Sequence, residues 1–413
     1  MKRILIILCT PLLLFGQDTT YNHQLEWNSN FLFESNSLDK SFLNTFLYGG
    51  YITDNMKTEW ISSGSENNII YSEISNGLSY TYHFKRQSIG FSFADRNILN
   101  ASFTDDLLRI GFEGNYNYQD EILNFDNTSI RADRFQQYKF SFGTKIKGNE
   151  IYSSISYLNG NHHLSYIMEK GSLYTAPFGT YLDIAYEMNA FITDTSKSNL
   201  TPFANNGNGI ALGFSTDFSI KDYDVHLSIS DLGFIMWNPS SITLATDSSF
   251  NFQGIEVEDI FNFNDSVLEA NNIKDDVLKT NTTSFKSYIP ATLNVAISGK
   301  TKHPIFKTYI AGIVAKWQPY QDDMALSIEK IEQGFKQSNY MPLYYIKSEV
   351  HAKYFILLPS ITYGGYTEDT NIGLALSKGK KNRFVLGTQH LEDLINGDDA
   401  TAVSVYLNMI IQF

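Results

Sequence analysis

The stretch Val403-Ser404-Val405-Tyr406-Leu407-Asn408-Met409-Ile410-Ile411-Gln412-Phe413 alternates almost without a fault. Val403, Val405, Leu407, Met409, Ile411 and Phe413 share one face, and Ala402, Ser404, Tyr406, Asn408, Ile410 and Gln412 share the other. Successive side chains of a strand point to opposite faces, so one face is wholly apolar. A membrane-barrel strand has this pattern, apolar toward lipid and polar or small toward the lumen. A half-buried strand of a soluble sandwich alternates too, so the rest of the chain must decide.

Other segments repeat the pattern. Ile210, Leu212, Phe214, Thr216, Phe218 and Ile220 oppose Gly209, Ala211, Gly213, Ser215, Asp217 and Ser219. Tyr138, Phe140 and Phe142 oppose Lys139, Ser141 and Gly143, and Leu78, Tyr80, Tyr82 and Phe84 oppose Gly77, Ser79, Thr81 and His83. Ile89, Phe91 and Phe93 oppose Ser88, Gly90 and Ser92. Inward side chains this small cannot fill a wide barrel, so the lumen is expected to hold water, a ligand or a plug.

Composition points the same way. The chain has 26 Tyr, 30 Phe and 4 Trp, an aromatic share of 15% that exceeds ordinary usage. Met1-Lys2-Arg3, the apolar run Ile4 to Phe15, and then Gly16 and Gln17-Asp18-Thr19-Thr20 have the order of a cleaved signal peptide. That run is shorter than the roughly 20 apolar residues a spanning helix needs. Residues 1–16 are therefore read as signal, taking with them the single cysteine, Cys9. No disulfide or thiolate is then expected in the mature chain. The formal charge of −13, lowered by two on loss of Lys2 and Arg3, disfavours nucleic acid, whose binding requires cations for its phosphates. No later stretch is apolar enough for a spanning helix, so a closed barrel is the membrane option left.

Numbering strand directions backward from Phe413 tests this. Segments near 383–388, 371–378, 353–365, 344–350, 306–317, 290–299, 223–237, 207–219, 181–192, 162–170, 151–158, 136–146, 88–95, 77–84 and 43–52 then alternate. The short links at Lys85-Arg86-Gln87, Lys147-Gly148-Asn149, Lys221-Asp222, Thr301 to Pro304, His351-Ala352 and Gly379 to Asn382 all fall on one side. The long segments 96–135, 239–289, 318–343 and 389–401 fall on the other, the asymmetry expected of periplasmic turns and external loops. Thr104-Asp105-Asp106-Leu107-Leu108 reads as the capped start of a short helix. Asp265 to Lys279 has rough helical spacing, either as a lumen plug or as an external loop.

The expected fold is all-β, an antiparallel transmembrane β-barrel of even strand number, about fourteen or sixteen. It carries long external loops and a lumen plug. Residues 17–42 form an N-terminal segment or hatch, and 43–413 the barrel, with 239–289 as a long loop or plug insertion.

Catalytic, cofactor and metal motifs are absent from the sequence. Gly207-Asn208-Gly209 reads as turn chemistry. His162-His163 follows the turn Asn159-Gly160-Asn161, and neighbours on a strand face apart, so the pair is placed at the rim. In Ser230-Asp231-Leu232-Gly233-Phe234-Ile235-Met236-Trp237, the outward parity of Val225, Leu227 and Ile229 aims Asp231 at lipid. Either Asp231 lies at the outer interface, or a bulge at Leu232-Gly233 turns it inward, making Asp231 and Gly233 a lumen site. Trp237 fits an aromatic girdle.

Several stretches together resemble a known family: Asp106 to Asn115, Tyr157-Leu158-Asn159-Gly160, Asp231 to Trp237, Ile289-Pro290-Ala291-Thr292-Leu293-Asn294-Val295 and Tyr363-Gly364-Gly365-Tyr366. It is a family of outer-membrane barrels without an established function, distantly similar to long-chain fatty-acid transporters and to the shuttle barrel of type IX secretion. The resemblance implies about fourteen strands with material inside the lumen. It carries over no functional residue. Fatty-acid transporters have an N-terminal hatch, and Gln17 to Phe42 occupies the corresponding place.

The expected activity is passive transport of small hydrophobic or amphipathic molecules, without enzymatic chemistry or cofactor. The alternative is a non-transporting protein that docks secreted or periplasmic proteins through its loops. Expected partners are outer-membrane lipid, the barrel-insertion machinery and a hydrophobic small-molecule ligand. Phe413, Ile411, Met409, Leu407 and Val405 are expected to form the insertion signal.

Overall fold

A computed structural model describes residues 5–7, 12–14, 21–193, 203–252, 280–303, 305–320, 328–379, 381–392, 395, 397 and 400–413. The expected cleavage point at Gly16 and the helical stretch Asp265 to Lys279 lie outside these residues.

Fourteen described strands form the wall. They are β1 (His23–Ser35), β2 (Asn68–Phe84), β3 (Gln87–Phe103), β4 (Thr128–Ile146), β5 (Asn149–Thr175), β6 (Gly207–Ile220) and β7 (Tyr223–Trp237). They continue as β8 (Ala291–Lys300), β9 (Phe306–Trp317), β10 (Met341–His351), β11 (Ile356–Gly365), β12 (Asp369–Lys378), β13 (Arg383–Thr388) and β14 (Ala402–Gln412). Each pairs antiparallel with the next, and β14 pairs with β1 from Ala402↔Glu34 to Gln412↔Gln24. Beyond that register, Phe413 and His23 exchange backbone hydrogen bonds of 3.0 and 3.1 Å, and their rings stack at 5.2 Å. The ring is closed, leaving no unpaired edge in the wall.

The alternation read from Val403 to Phe413 decides the faces. Val405, Ile346, Ile361, Ile372 and Ile313 stand on the outer surface, while Ser404, Tyr406 and Asn408 are buried inside. A closed wall with an apolar outer belt satisfies its backbone in lipid, and the barrel is transmembrane. Links between strands are short at one end, such as Lys85-Arg86, Lys147-Gly148 and Lys221-Asp222, and Lys85, Lys147 and Lys221 all adopt positive φ there. Long connections gather at the opposite end.

Four expectations change within this frame. The stretch 23–35, placed by sequence in an N-terminal segment or hatch, is the first wall strand, because its inward Gln24, Glu26, Asn30 and Glu34 alternate with outward apolar residues. The segment near 43–52 is not a strand. It contains helix α1 (Lys40–Tyr48), whose first turn is capped by Asp39 accepting from the Phe42 N–H at 2.9 Å. Segments 151–158 and 162–170 are one strand, β5, and 181–192 lies above the wall as strand Leu182–Ile192. Merging one pair and removing a strand reverses 162–170 but leaves the directions of the other expected wall strands unchanged, so the count falls from sixteen to fourteen while the short-turn and long-loop ends stay as assigned.

At the long-loop end, α1 packs with α2 (Asp54–Ser63) and α3 (Asp105–Glu113) around Leu38, Trp60 and Leu108. Thr104 precedes α3 as expected, although its hydroxyl donates to the Asn124 carbonyl instead of capping. Strand Ile242–Phe252 pairs with Leu182–Ile192, extending the sheet beyond the wall.

Candidate functional site

Two bulges re-aim the residues that fill the lumen. On β5, Arg134 opposes His162 while Phe135 opposes Gly160, so Asn161 is the extra residue. The parity then flips, and His163 and Ser165 face inward although the outward set below was odd-numbered. On β7, Leu232 pairs with Leu212 but Ile229 pairs with Phe214, so Ser230 and Asp231 together oppose Gly213. Asp231 takes φ 58°, a left-handed conformation unusual for a non-glycine residue. It is turned into the lumen and is 2% exposed. The bulge, at Ser230-Asp231, lies two residues earlier than the Leu232-Gly233 expectation. Gly233 serves close approach: a Cβ there would sit 2.3 Å from the Ile210 carbonyl oxygen and 2.5 Å from Ala211 Cα. The flip also carries Trp237 inside, against the girdle expectation; its indole N–H donates to Ser287 Oγ at 2.8 Å.

Asp231 is the centre of a charge cluster halfway along the lumen. Its Oδ2 accepts from Arg96 Nη1 at 3.1 Å, and its Oδ1 accepts from Gln137 Nε2 at 2.7 Å and Lys139 Nζ at 3.3 Å. Arg96 also donates to Glu73 Oε1 through Nη2 at 2.9 Å and Nε at 3.2 Å. The Tyr71 hydroxyl donates to Glu73 at 2.7 Å and accepts from Lys316 Nζ at 3.3 Å. Lys316 is enclosed by the rings of Tyr71, Tyr366 and Tyr340 at 4.3, 4.7 and 5.0 Å. Buried charges persist only when paired and hydrogen-bonded in this way.

Below the cluster, toward the short turns, lies a cavity of about 280 Å³. Its inward lining is Ser75, Gly77, Ser79 and Thr81 of β2, Ser88, Gly90 and Ser92 of β3, and Ser141, Ser154 and Ser215 beyond. Gln24, Glu26 and His83 line its outer end, level with the turns, and Arg96, Gln137 and Lys139 form its roof.

Above the cluster the lumen is filled. Tyr71, Ile98, Phe135, Leu158, Ile235, Trp237, Phe285 and Ile289 pack as one apolar core. The described parts of the link between β9 and β10, 318–320 and 328–340, form a strap that reaches β3 and β4. There Asn100 Nδ2 donates to the Ser338 carbonyl at 2.9 Å, and the Tyr320 hydroxyl donates to Ser129 Oγ at 3.0 Å. The Arg131 guanidinium donates to the Pro319 carbonyl at 3.0 Å and lies 3.8 Å over the Tyr320 ring. The strap's helix α4 (Ile328–Lys336) packs Gly334 against the Trp317 indole.

His163 joins this plug. Its Nδ1 is 2.7 Å from Asp133 Oδ1 and its Nε2 is 2.9 Å from Ser165 Oγ. The order of groups is that of a hydrolytic relay. All three residues are buried, and the Trp237 and Phe285 rings lie 5.4 and 5.3 Å from the imidazole, so the chain of bonds ties β4 to β5 against the plug. At the long-loop rim, His390 bonds Glu34 at 3.1 Å, Asn371 at 3.1 Å and Glu392 at 3.3 Å, tying β1, β12 and the link after β13. Burial opposes its charge, the bonds to Glu34 and Glu392 outweigh burial, and its pKa is raised to about 9.

The succession from the charge cluster to Trp237 and on into β8 also carries the resemblance read from the sequence, and a model of DUF5723, a family of unknown function, matches residues 14–388. The chain belongs to DUF5723. No curated protein matches it. Among solved structures it is similar to the TodX deltaS2S3 mutant monoaromatic hydrocarbon channel, with TM-score 0.42 and 7% identity over 95% of this chain and 90% of that one. It is also similar to the Ralstonia pickettii toluene transporter TbuX, with TM-score 0.40 and 9% identity over 95% and 88%. The COG4313 outer membrane channel from Pseudomonas putida F1 gives 0.36 and 7% over 96% and 99%.

In the DUF5723 barrel, sequence reading named Asp231 and Lys139 but not the two residues that complete the cluster. The alternation places Arg96 at the start of the long segment 96–135 and Glu73 ahead of the strand at 77–84. The signal was present: Ser92, Ala94, Arg96 and Ile98 continue the inward parity of β3. His162 faces outward and His163 inward, so the pair is split across the wall.

Proposed function

We propose that this DUF5723 member is an outer-membrane channel for small amphipathic molecules, held shut at its outer end by its own plug. The supporting observation is the division of one lumen into a polar cavity at the short-turn end and an apolar plug at the long-loop end. Short turns belong to the periplasmic side in such barrels, so the cavity is a periplasmic vestibule and the strap an external closure. The serine and glycine lining favours an amphipathic solute with a polar head over a plain hydrocarbon. An apolar molecule placed there would leave the hydroxyls beside it without water.

The strap is the movable part, because polar bonds and one cation–π contact hold it to β3 and β4 instead of wall ladders. The test is solute flux into liposomes carrying the native barrel or the double variant Arg131→Ala/Tyr320→Ala. Flux that is low in the native protein and rises in the variant supports the reading. Equal, negligible flux in both, with the barrel folded, rejects it. Membrane lipid, the insertion machinery acting on Val405 to Phe413, and a small amphipathic ligand are the partners proposed with it.

A further inference from the structure

The cluster at the vestibule roof has a built-in asymmetry. Arg96 and Asp231 are sealed, their side chains 8% and 2% exposed, whereas the Lys139 side chain is 26% exposed and lines the cavity. Arg96, Gln137 and Lys139 converge on one carboxylate, that of Asp231, through bonds of 3.1, 2.7 and 3.3 Å. That carboxylate is delivered by a bulge and a positive-φ backbone, a conformation a non-glycine residue adopts only under strain. An undistorted β7 would have aimed it at lipid. The wall is thus deformed to set a carboxylate among three donors at the blind end of the 280 Å³ cavity.

We propose that this roof is a binding subsite for an anionic head group, a carboxylate by preference, entering from the vestibule. Lys139 is its contacting residue. Asp231 is the resident counter-ion that keeps the donors ordered while the site is empty and shares Lys139 with the ligand when it is full. The proposal names the solute chemistry of the channel reading above and rests on it for biological meaning, but the binding itself is separable from transport. Selectivity would then lie at Lys139, one layer below the plug, so the head group is taken before the closure opens.

The experiment is calorimetry on the full-length barrel in nanodiscs, with hexanoate, hexanol and inorganic phosphate as probes. Hexanoate is expected to bind, and hexanol to bind about tenfold or more weakly, the scale of one charge-assisted bond. Lys139→Met should weaken hexanoate by about the same factor without changing hexanol, and Lys139→Arg should restore it. Asp231→Asn should strengthen hexanoate by removing the competing carboxylate. Heat-modifiable gel mobility shows which variants are folded, and the two Lys139 variants suffice if Asp231→Asn is not. Phosphate that displaces hexanoate with equal strength supports the site and identifies a free anion as its source; hexanoate that outcompetes phosphate supports it with an amphipathic source. Hexanol binding as tightly as hexanoate, or hexanoate binding unchanged in Lys139→Met, overturns the proposal. Flux of an uncharged solute reports separately: charge-dependent binding without flux through any variant keeps the subsite and removes the channel.

Discussion

Below Arg96 the inward positions of β2 to β6 carry Ser75, Gly77, Ser79, Ser92, Ser141 and Ser215, whereas above it the same wall carries Tyr71, Ile98, Phe135 and Leu158. One set of strands, paired around a closed ring with bulges on β5 and β7, therefore builds an open half and a filled half. The ladder itself satisfies the backbone in lipid, so the wall does not depend on what fills the lumen. That frees the inward positions: small residues leave room for solute, and large ones close the path. The charge cluster of Glu73, Arg96, Lys139 and Asp231 marks the boundary and faces both halves.

If the difference between halves is as described, substitutions should cost stability above the cluster and change access below it. Trp237→Ala should have the largest effect, because a fully buried indole touching Gly160 and Gly207 leaves a cavity in the plug. A loss of about 3–5 kcal/mol is expected from reversible unfolding in lipid vesicles, together with raised conductance. A loss below about 1 kcal/mol would show that the plug is not a packed core.

The rim tie gives a pH test of the upper half. Because the His390 pKa is raised from 6.5 to about 9 in the folded state, its contribution is fully present below pH 6.5. It is lost as pH rises through about 9, a loss of roughly 3 kcal/mol at most. His390→Gln should flatten that window in the unfolding free energy, and an unchanged slope between pH 6.5 and 9 would detach the rim from stability.

Releasing the strap should cost less. Arg131→Ala with Tyr320→Ala removes a cation–π contact and two hydrogen bonds, about 1–3 kcal/mol in total, and its main readout is conductance. Smallest of all is Ser79→Phe in the vestibule, expected to change stability by less than about 1 kcal/mol, because the cavity already has room there. It should nonetheless reduce flux through an opened barrel. A large destabilisation would mean that the vestibule is packed and not open.

The wall was legible in the sequence because lipid enforces strict alternation from Val403 to Phe413, and most wall strands follow from that rule; His23–Ser35 keeps it too but falls within the stretch read as an N-terminal segment or hatch. The other faults came where another force replaced lipid. The segment near 43–52 reads as a strand, although Asp39 caps residues 40–48 into a helix. Asn161 and Asp231 shift parity through bulges defined by the partner strand, at Arg134-Phe135 and Gly213, and these cannot be seen along one strand alone. That is why Trp237 was expected outside and is found inside, and why Asp231 was left between two faces. The cluster itself was half legible, since Lys139 sat inside a recognised strand while Arg96 and Glu73 lay just past the ends of theirs.

The central claim is that the lumen opens toward the periplasm and is closed toward the exterior. Ser79→Cys offers a direct probe, because the natural chain has one cysteine, Cys9, within the expected signal. A membrane-impermeant thiol reagent should leave Cys at this position unlabelled in intact cells and label it once the outer membrane is opened and the periplasmic face exposed. Labelling in intact cells at the same rate as after opening would contradict the account.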